Sequence, residues 1–527
     1  MALPPWKEIR VRIADYFDCA VSRYPGRTAF VDGTERTTFA QAQRFIHTIA
    51  NALVRDTALP KDAHVAIYAP NDYRISLLQI AINRADMAWI SVHTRNAVET
   101  NVAVLAFADC DLVFFHSAYE SVVPVLKAGL PEQCRFICID KTSDHGAALE
   151  TWAAGCDHPF VAEPEDPYRP ALLQPTGGTT GPSKGALHSN RSLEIGLLSV
   201  SSTLNLDMDS RILAVAPLTH AACAVTLGAA TRGGCTVVLP GFDAANVLHT
   251  IAKERITHLF LPPTAVYALM NDPAIDDTDL SSLRCLAVGA APIAPEKFKE
   301  AVRRFGPVIY EVYGQSESGF PIVAKVPSDY LLADGTFDEV ALRSAGRNVY
   351  FAWVEIMDDD GNILGPGERG EIVVRSSAIM LGYYKNDAAT AEVSRFGWHH
   401  TTDIGIKDER GFITIVDRKK DMIVSGGFNV FPTEIEAVIN AHPAVLDCAV
   451  VGVPDDKWGE AVKAIVQLKP GQSVSAEELA ELCKRELGSV KTPKSFEFWS
   501  DLPRSAVGKV LKREIRGKYW EGHWRAV

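Results

Sequence analysis

Several short stretches of this chain hold side chains suited to chemistry on a phosphorylated ligand. Residues 174–186 read Gln-Pro-Thr-Gly-Gly-Thr-Thr-Gly-Pro-Ser-Lys-Gly-Ala. Glycines let backbone N–H groups approach an anion with no Cβ in the way. The hydroxyls and Lys184 add donors and a positive charge, a composition suited to a polyphosphate. The run is not a Walker A loop, because Pro182 and Ser183 separate Gly181 from Lys184 and Gly185 stands where Ser or Thr is required. Alone, it reads equally well as a surface turn.

A second stretch is Tyr310-Glu311-Val312-Tyr313-Gly314-Gln315-Ser316-Glu317-Ser318-Gly319. Residues 314–318 approach the G-x-S-x-G nucleophile elbow, but Ser318 replaces its last glycine, which argues against a hydrolase serine. An aromatic beside a carboxylate instead suits a purine stacked on Tyr313, with Glu317 holding Mg²⁺. Further on, Asp403 in Thr401-Thr402-Asp403-Ile404-Gly405 could accept hydrogen bonds from ribose hydroxyls, and Arg418 opens the charge run Lys419-Lys420-Asp421. Near the end, Gly508 places Lys509 on an exposed loop from which a cation could reach a phosphate. Taken singly, each has a plainer reading: a core tyrosine, a turn aspartate, a solvated lysine.

The elements that must carry these residues follow an α/β pattern. Residues 38–54 begin with Thr38 and Gln41 at capping-box spacing and continue with Ala42, Phe45, Ile46, Ile49 and Leu53 at helical period. Short apolar runs at 65–68, 112–115 and 136–139 predict buried strands, with a helix over 75–88. The glycine-rich run is expected between a strand at 171–173 and a helix at 192–200. Runs at 212–216, 235–239, 258–261 and 285–288 repeat the style, predicting a second, mostly parallel α/β segment. From about Val340 the pattern becomes short strands and tight turns, at 354–357, 370–374 and 411–416. Beyond Asp421 a compact α+β unit is expected, with helices near 433–440 and 475–487 and strands at 447–453 and 462–468. The fold class is therefore α/β. A large N-terminal domain (1–418) of two α/β subdomains and a small β-rich one precedes a small, mobile α+β C-terminal domain (419–527).

Composition narrows the function classes. A chain of 527 residues implies roughly three or four folding units. A net charge of −12 argues against electrostatic binding of nucleic acid. No apolar run approaches the ~18 residues of a membrane span, and the N-terminus lacks a signal-peptide core, so a cytoplasmic protein with no integral membrane segment is expected. The ten cysteines include no C-x-x-C pair, which argues against zinc and for reduced core thiols.

Taken in order, the motifs resemble the adenylate-forming superfamily, whose members include acyl-CoA synthetases, aryl-CoA ligases, luciferases and peptide-synthetase adenylation domains. The resemblance runs from about residue 20 to 515. It implies attack of a carboxylate on the α-phosphorus of MgATP, then transfer of the acyl group from AMP to a thiol. Thr176, Gly177, Gly178, Thr179, Thr180 and Lys184 would meet the β,γ-phosphates, and Glu317 would bind Mg²⁺. Glu311, Tyr313, Gly314 and Ser316, with Gly289, Ala290 and Ala291, would surround the adenine. Asp403 and Arg418 would hold the ribose, and Lys509 would bridge carboxylate and phosphate. Lys420 aligns with the family's hinge, and Ser425, Gly426 and Gly427 with the wall of its pantetheine tunnel. Departures are mild: Ser316 where Thr is commoner, and Thr401 before Thr402.

The stretch Pro217-Leu218-Thr219-His220-Ala221-Ala222-Cys223 has no carboxylate to pair an amine, so a free hydrophobic acid, fatty or aromatic, is the expected substrate. His220 would orient its carboxylate or gate the acyl tunnel, unless it is a structural histidine. Ala221, Ala222 and Ala224 would leave room for a bulky acyl group. Only 18 residues follow Lys509, which favours coenzyme A over a fused carrier domain. A separate carrier protein, a luciferase-like monooxygenase and a degenerate ATP-binding interaction protein remain alternatives, and a homodimer is left open.

Overall fold

The structure is a computed structural model that describes residues 12–162, 166–176, 184–425, 428–455, 458–504 and 510–521. These form two compact units. One contains the chain through Trp353 together with Val374–Ser394, the other Val354–Val373 and the chain from Arg395 onward. The β-rich segment at 354–373 thus groups by compactness with the C-terminal part.

The first unit is built on two large sheets. One has nine strands and the other eight, and both are mostly parallel. The apolar runs become parallel strands, among them His64–Tyr68, Cys110–Phe115, Arg135–Cys138, Arg211–Ala214, Cys235–Val238, His258–Leu261 and Cys285–Val288. Their continuous burial is what a parallel sheet covered on both faces requires.

The helix Tyr73–Arg84 is buried at every position from Ile75 to Arg84. Three of its buried polar side chains are engaged inside the protein. Gln79 donates to the Leu218 carbonyl (3.3 Å), Asn83 to Asn190 Oδ1 (2.5 Å) and Arg84 to Asp18 (2.7 Å). The helix stops at Arg84 rather than at 88. Asp86 takes a left-handed backbone (φ 59°), and Ala88–Ile90 is a strand. Thr38 and Gln41 form the expected reciprocal cap on the helix Phe39–Arg55.

The second unit holds most of a four-stranded sheet, Trp353–Met357, Arg369–Arg375, His399–Lys407 and Ile413–Arg418. A five-stranded sheet follows, centred on the long antiparallel pair Val445–Asp455 and Gly459–Leu468. Its core packs Ile435 and Ile439 of the helix Pro432–Asn440, and Leu479 and Cys483 of Ala476–Leu487, against Val450, Val462 and Ala464. Among the described residues no helix is long and apolar enough to cross a membrane.

Candidate active site

In the first unit the residues after the glycine-rich run begin with a strand, not with the expected helix. Pro170–Thr176 pairs antiparallel with Lys184–Ser189, with Thr176 opposite Lys184. The expected helix begins only at Asn190, after Ser189 caps it through Ser192 N–H. Gly177, Gly178, Thr179 and Thr180 lie outside the described residues. Thr176 and Lys184, which bracket them, are held in register by the ladder.

The Tyr313–Glu317 motif is likewise a hairpin, between Ile309–Gln315 and Gly319–Lys325. A nucleophile elbow needs a strand–turn–helix, so this geometry removes the serine-hydrolase reading. Gly314 is required by packing, since a Cβ there would lie 2.8 Å from the Gly319 carbonyl oxygen. Glu311, expected at the nucleotide, is buried in the strand Ile309–Gln315. It sits directly across the hairpin from the fully buried Lys325, with Nζ 2.6 Å from its carboxylate. Lys325 also donates to the carbonyls of Leu342 and Ser344.

Both hairpins are tied to a third segment. The short strand Gly382–Tyr383 pairs with Lys184–Ser189, placing Tyr383 opposite Ala186. Met380 N–H donates to the Glu317 carbonyl (2.9 Å), and the Tyr383 hydroxyl donates to Glu317 Oε1 (2.9 Å). The Lys184 ammonium lies 4.7 Å from the centroid of the Tyr383 ring. Burial, then the Glu317 carboxylate, pushes the Tyr383 hydroxyl well above its ordinary value, so it stays a donor. From the glycine-loop strand, His188 reaches the Ser316 carbonyl through Nε2 at 2.6 Å. Burial lowers the His188 pKa to about 4, so the ring is neutral and Nε2–H is the donor.

Gly289, Ala290 and Ala291 follow the strand Cys285–Val288, whose neighbour is Ile309–Gln315. They lie at the carboxyl ends of parallel strands, where open α/β sheets bind ligands. A Cβ on Gly289 would come within 3.0 Å of Phe260 and of the Val312 carbonyl oxygen. Ala290 holds a left-handed φ of 69°, a conformation that costs an L-residue about 1 kcal/mol or more.

His220 precedes the helix Ala221–Thr231 and donates through Nδ1 to the Thr219 carbonyl (3.0 Å). Its ring stands edge-on to that of His93, 4.9 Å between centroids. Burial lowers both pKa values, that of His93 to about 4 with His220 and Arg95 adding to the effect, so the pair is neutral at pH 7. Ala222 is packed in the core, whereas Ala221 and Ala224 are partly exposed.

In the second unit, Asp403 and Arg418 are cross-strand partners in the pair His399–Lys407 and Ile413–Arg418. Thr402, just before Asp403, is held at φ 61°. Its N–H donates to Glu371 and its carbonyl accepts from Lys419 N–H. Asp417 accepts from Thr433 N–H at the start of the helix Pro432–Asn440. Lys420 is exposed. Ser425 is buried and pairs with Phe428 and Gly459. Gly426, Gly427 and Lys509 lie outside the described residues. Arg504 bridges Val510, and Lys512 forms a partly buried ion pair with Glu436 (2.8 Å). Burial alone would lower the Lys512 pKa, but Glu436, Asp417 and Asp421 outweigh it and raise it.

A family profile described as AMP-binding enzyme matches residues 17–384, and one described as AMP-binding enzyme C-terminal domain matches 434–509. The chain belongs to the AMP-binding enzyme family. A medium/long-chain-fatty-acid–CoA ligase of Mycobacterium tuberculosis is 38% identical over 77% of this chain and 70% of its own length. A feruloyl-CoA synthase of an Amycolatopsis species is 33% identical over 94% of this chain and 96% of its own. Among solved structures, the amide bond synthetase McbA of Marinactinospora thermotolerans superposes with a TM-score of 0.87 at 29% identity, covering 97% of this chain and all of that one.

Three residues that contact candidate site residues had no signal in the motifs: Tyr383, His188 and His93. Each touches a partner distant in sequence. His188 alone could have been suspected, as an isolated histidine two residues past the glycine-rich run's last alanine.

A bound Mg²⁺ fits the residues present. Among the described residues no cluster of three or more His, Cys, Asp or Glu could enclose a metal. Glu317, however, offers a partly exposed carboxylate with only one oxygen taken by Tyr383. One carboxylate plus substrate phosphates is the usual way proteins hold Mg²⁺.

Proposed function

We propose that this chain is an acid–thiol ligase that activates a hydrophobic carboxylic acid with MgATP and passes the acyl group to coenzyme A, releasing AMP and pyrophosphate. The observation that carries it is the arrangement of Lys184 and Glu317 on one tyrosine. A cation and a carboxylate, anchored by separate hairpins, are held for a polyphosphate and its counter-ion. The His220 environment adds the acid class. One further neutral imidazole, that of His93, stands against it, small side chains follow it in sequence, and the nearby motif residues contribute no carboxylate for an amine.

In the first step an acid oxygen attacks the α-phosphorus and pyrophosphate leaves. Glu317 would hold Mg²⁺, which would offset phosphate charge. Lys184, Thr176, Thr179, Thr180 and the N–H groups of Gly177 and Gly178 receive the β,γ-phosphates. Tyr313 stacks on the adenine beside Gly289–Ala291, Asp403 and Arg418 take the ribose, and Lys509 bridges the two reacting anions. Both reactants are negative, so positioning and positive charge do the catalysis. In the second step the coenzyme A sulfur attacks the acyl carbon and AMP leaves. Residues 419–527 turn about Lys420 between the steps, withdrawing Lys509 and bringing the backbone of Ser425, Gly426 and Gly427 to the pantetheine.

The acceptor is where the relatives differ, since one solved neighbour is an amide bond synthetase. Near-complete coverage against the feruloyl-CoA synthase, at higher identity, favours coenzyme A. The test is pyrophosphate release from MgATP against a panel of fatty and aromatic acids, with and without coenzyme A. Sustained turnover that needs both acid and coenzyme A is expected. Release that stops near one equivalent with coenzyme A present would contradict the proposed acceptor.

A further inference from the structure

Lys184 and Glu317 are oppositely charged and both partly exposed, yet they form no ion pair with each other among the described residues. Tyr383 accounts for this. Its ring face lies under the Lys184 ammonium, 4.7 Å from the centroid, while its hydroxyl takes one oxygen of Glu317 at 2.9 Å. A cation over a tyrosine ring and a hydroxyl on a carboxylate are each favourable contacts. Together they give each charge a fixed neutral neighbour in place of the other charge.

The tyrosine is itself immobilised. Its ring packs with Ala186, Met380, Ala389 and Val393, and its backbone N–H donates to Thr390 Oγ1 (2.9 Å). Leu381 and Tyr384 N–H groups bond the carbonyls of Leu187 and Gly185 on the glycine-loop strand (2.7 and 2.8 Å). Met380 N–H grips the Glu317 carbonyl. Gly382 is required here, because it has φ 155° and a Cβ would lie 2.9 Å from Thr390.

We propose that Tyr383 is a positioning residue of the nucleotide site, holding Glu317 with one oxygen turned to the metal of MgATP and keeping Lys184 from neutralising it. The proposal rests on the nucleotide-binding reading above. It assigns two separable roles to one side chain: the hydroxyl serves Glu317 and the ring serves Lys184.

Equilibrium binding of a fluorescent ATP analogue to the full chain, with Mg²⁺ and with EDTA, tests it. Tyr383→Phe keeps the ring and removes the hydroxyl. The Mg²⁺ concentration for half-maximal binding should rise about 3- to 10-fold, with binding in EDTA unchanged. Tyr383→Leu should also weaken binding in EDTA. In a Glu317→Gln background, Tyr383→Phe should have no further effect on the Mg²⁺ dependence. That cycle separates action through Glu317 from general loosening, and circular dichroism confirms that each variant is folded. An unchanged Mg²⁺ response in Tyr383→Phe, or equal weakening with Mg²⁺ and EDTA, would overturn the proposal while leaving the function standing. Absence of nucleotide binding by the wild-type chain would remove the functional reading and this proposal with it.

Discussion

Arg418 stands directly opposite Asp403 across one antiparallel strand pair, its Nε 3.4 Å from Asp403 Oδ1. Fourteen residues of chain separate them, yet the hairpin makes them a unit: a buried carboxylate with a half-exposed guanidinium over it. Such a pair can accept from ribose hydroxyls while the arginine offsets the carboxylate's charge beside phosphate. Asp403→Asn should raise the KM for ATP about 10- to 100-fold, the range for a hydrogen bond to a charged group. The penalty should shrink with 2′,3′-dideoxy-ATP. Equal loss with both nucleotides would show that Asp403 acts on something other than the ribose.

Lys509 is assigned to the first chemical step alone. Lys509→Ala should slow acyl-adenylate formation about 100- to 1000-fold, as loss of one preorganised charge does. Conversion of supplied acyl-adenylate to thioester should stay within a few-fold of wild type. Rapid-quench assays of the two half-reactions distinguish this from an equal loss in both, which would contradict the assignment.

The buried Lys325–Glu311 pair should matter to stability rather than to chemistry. Lys325→Met leaves a buried carboxylate without its cation and should cost about 3–5 kcal/mol. Lys325→Met with Glu311→Gln should recover most of that. Urea unfolding measures both, and a single variant as stable as wild type would refute the pairing as drawn.

Acid sensitivity should arise in part from His258. Its Nε2–H donates to the Leu204 carbonyl (3.0 Å), Nδ1 lies 2.7 Å from Thr257 Oγ1, and burial lowers its pKa to about 4, with Arg284 adding to the effect. The unfolded chain, with histidine near 6.5, binds the proton more tightly. The stabilisation is therefore complete above pH 6.5 and is lost as pH falls toward 4. The Tm should drop across that window, and less steeply in His258→Gln, which will be less stable than wild type at pH 8. A variant with the wild-type acid slope would exclude His258 as a contributor.

Much of this architecture was legible because fully buried parallel strands leave short apolar runs, and runs such as 258–261 and 285–288 coincide with observed strands. The glycine-loop hairpin was not, since Lys-Gly-Ala-Leu-His-Ser has neither apolar continuity nor a clean alternation. Missing that hairpin, and the one ending at Lys325, had a direct consequence. The Glu311–Lys325 ion pair was not legible, because only the hairpin makes that lysine a neighbour. The candidate site residues stood out wherever several fell within one short stretch. Tyr383 did not, because its partner Glu317 is 66 residues away and only the strand pairing with Lys184–Ser189 brings it there.

An acyl-adenylate between the two proposed steps should leave its mark in the fate of the carboxylate oxygens. A substrate acid labelled with ¹⁸O in both carboxylate oxygens is turned over with MgATP and coenzyme A, and the nucleotide product is analysed by mass spectrometry. Attack of the carboxylate on the α-phosphorus followed by thiol attack on the acyl carbon places one ¹⁸O in each AMP formed and one in the thioester. Label in inorganic phosphate with ADP as product, or AMP without label, would contradict the account.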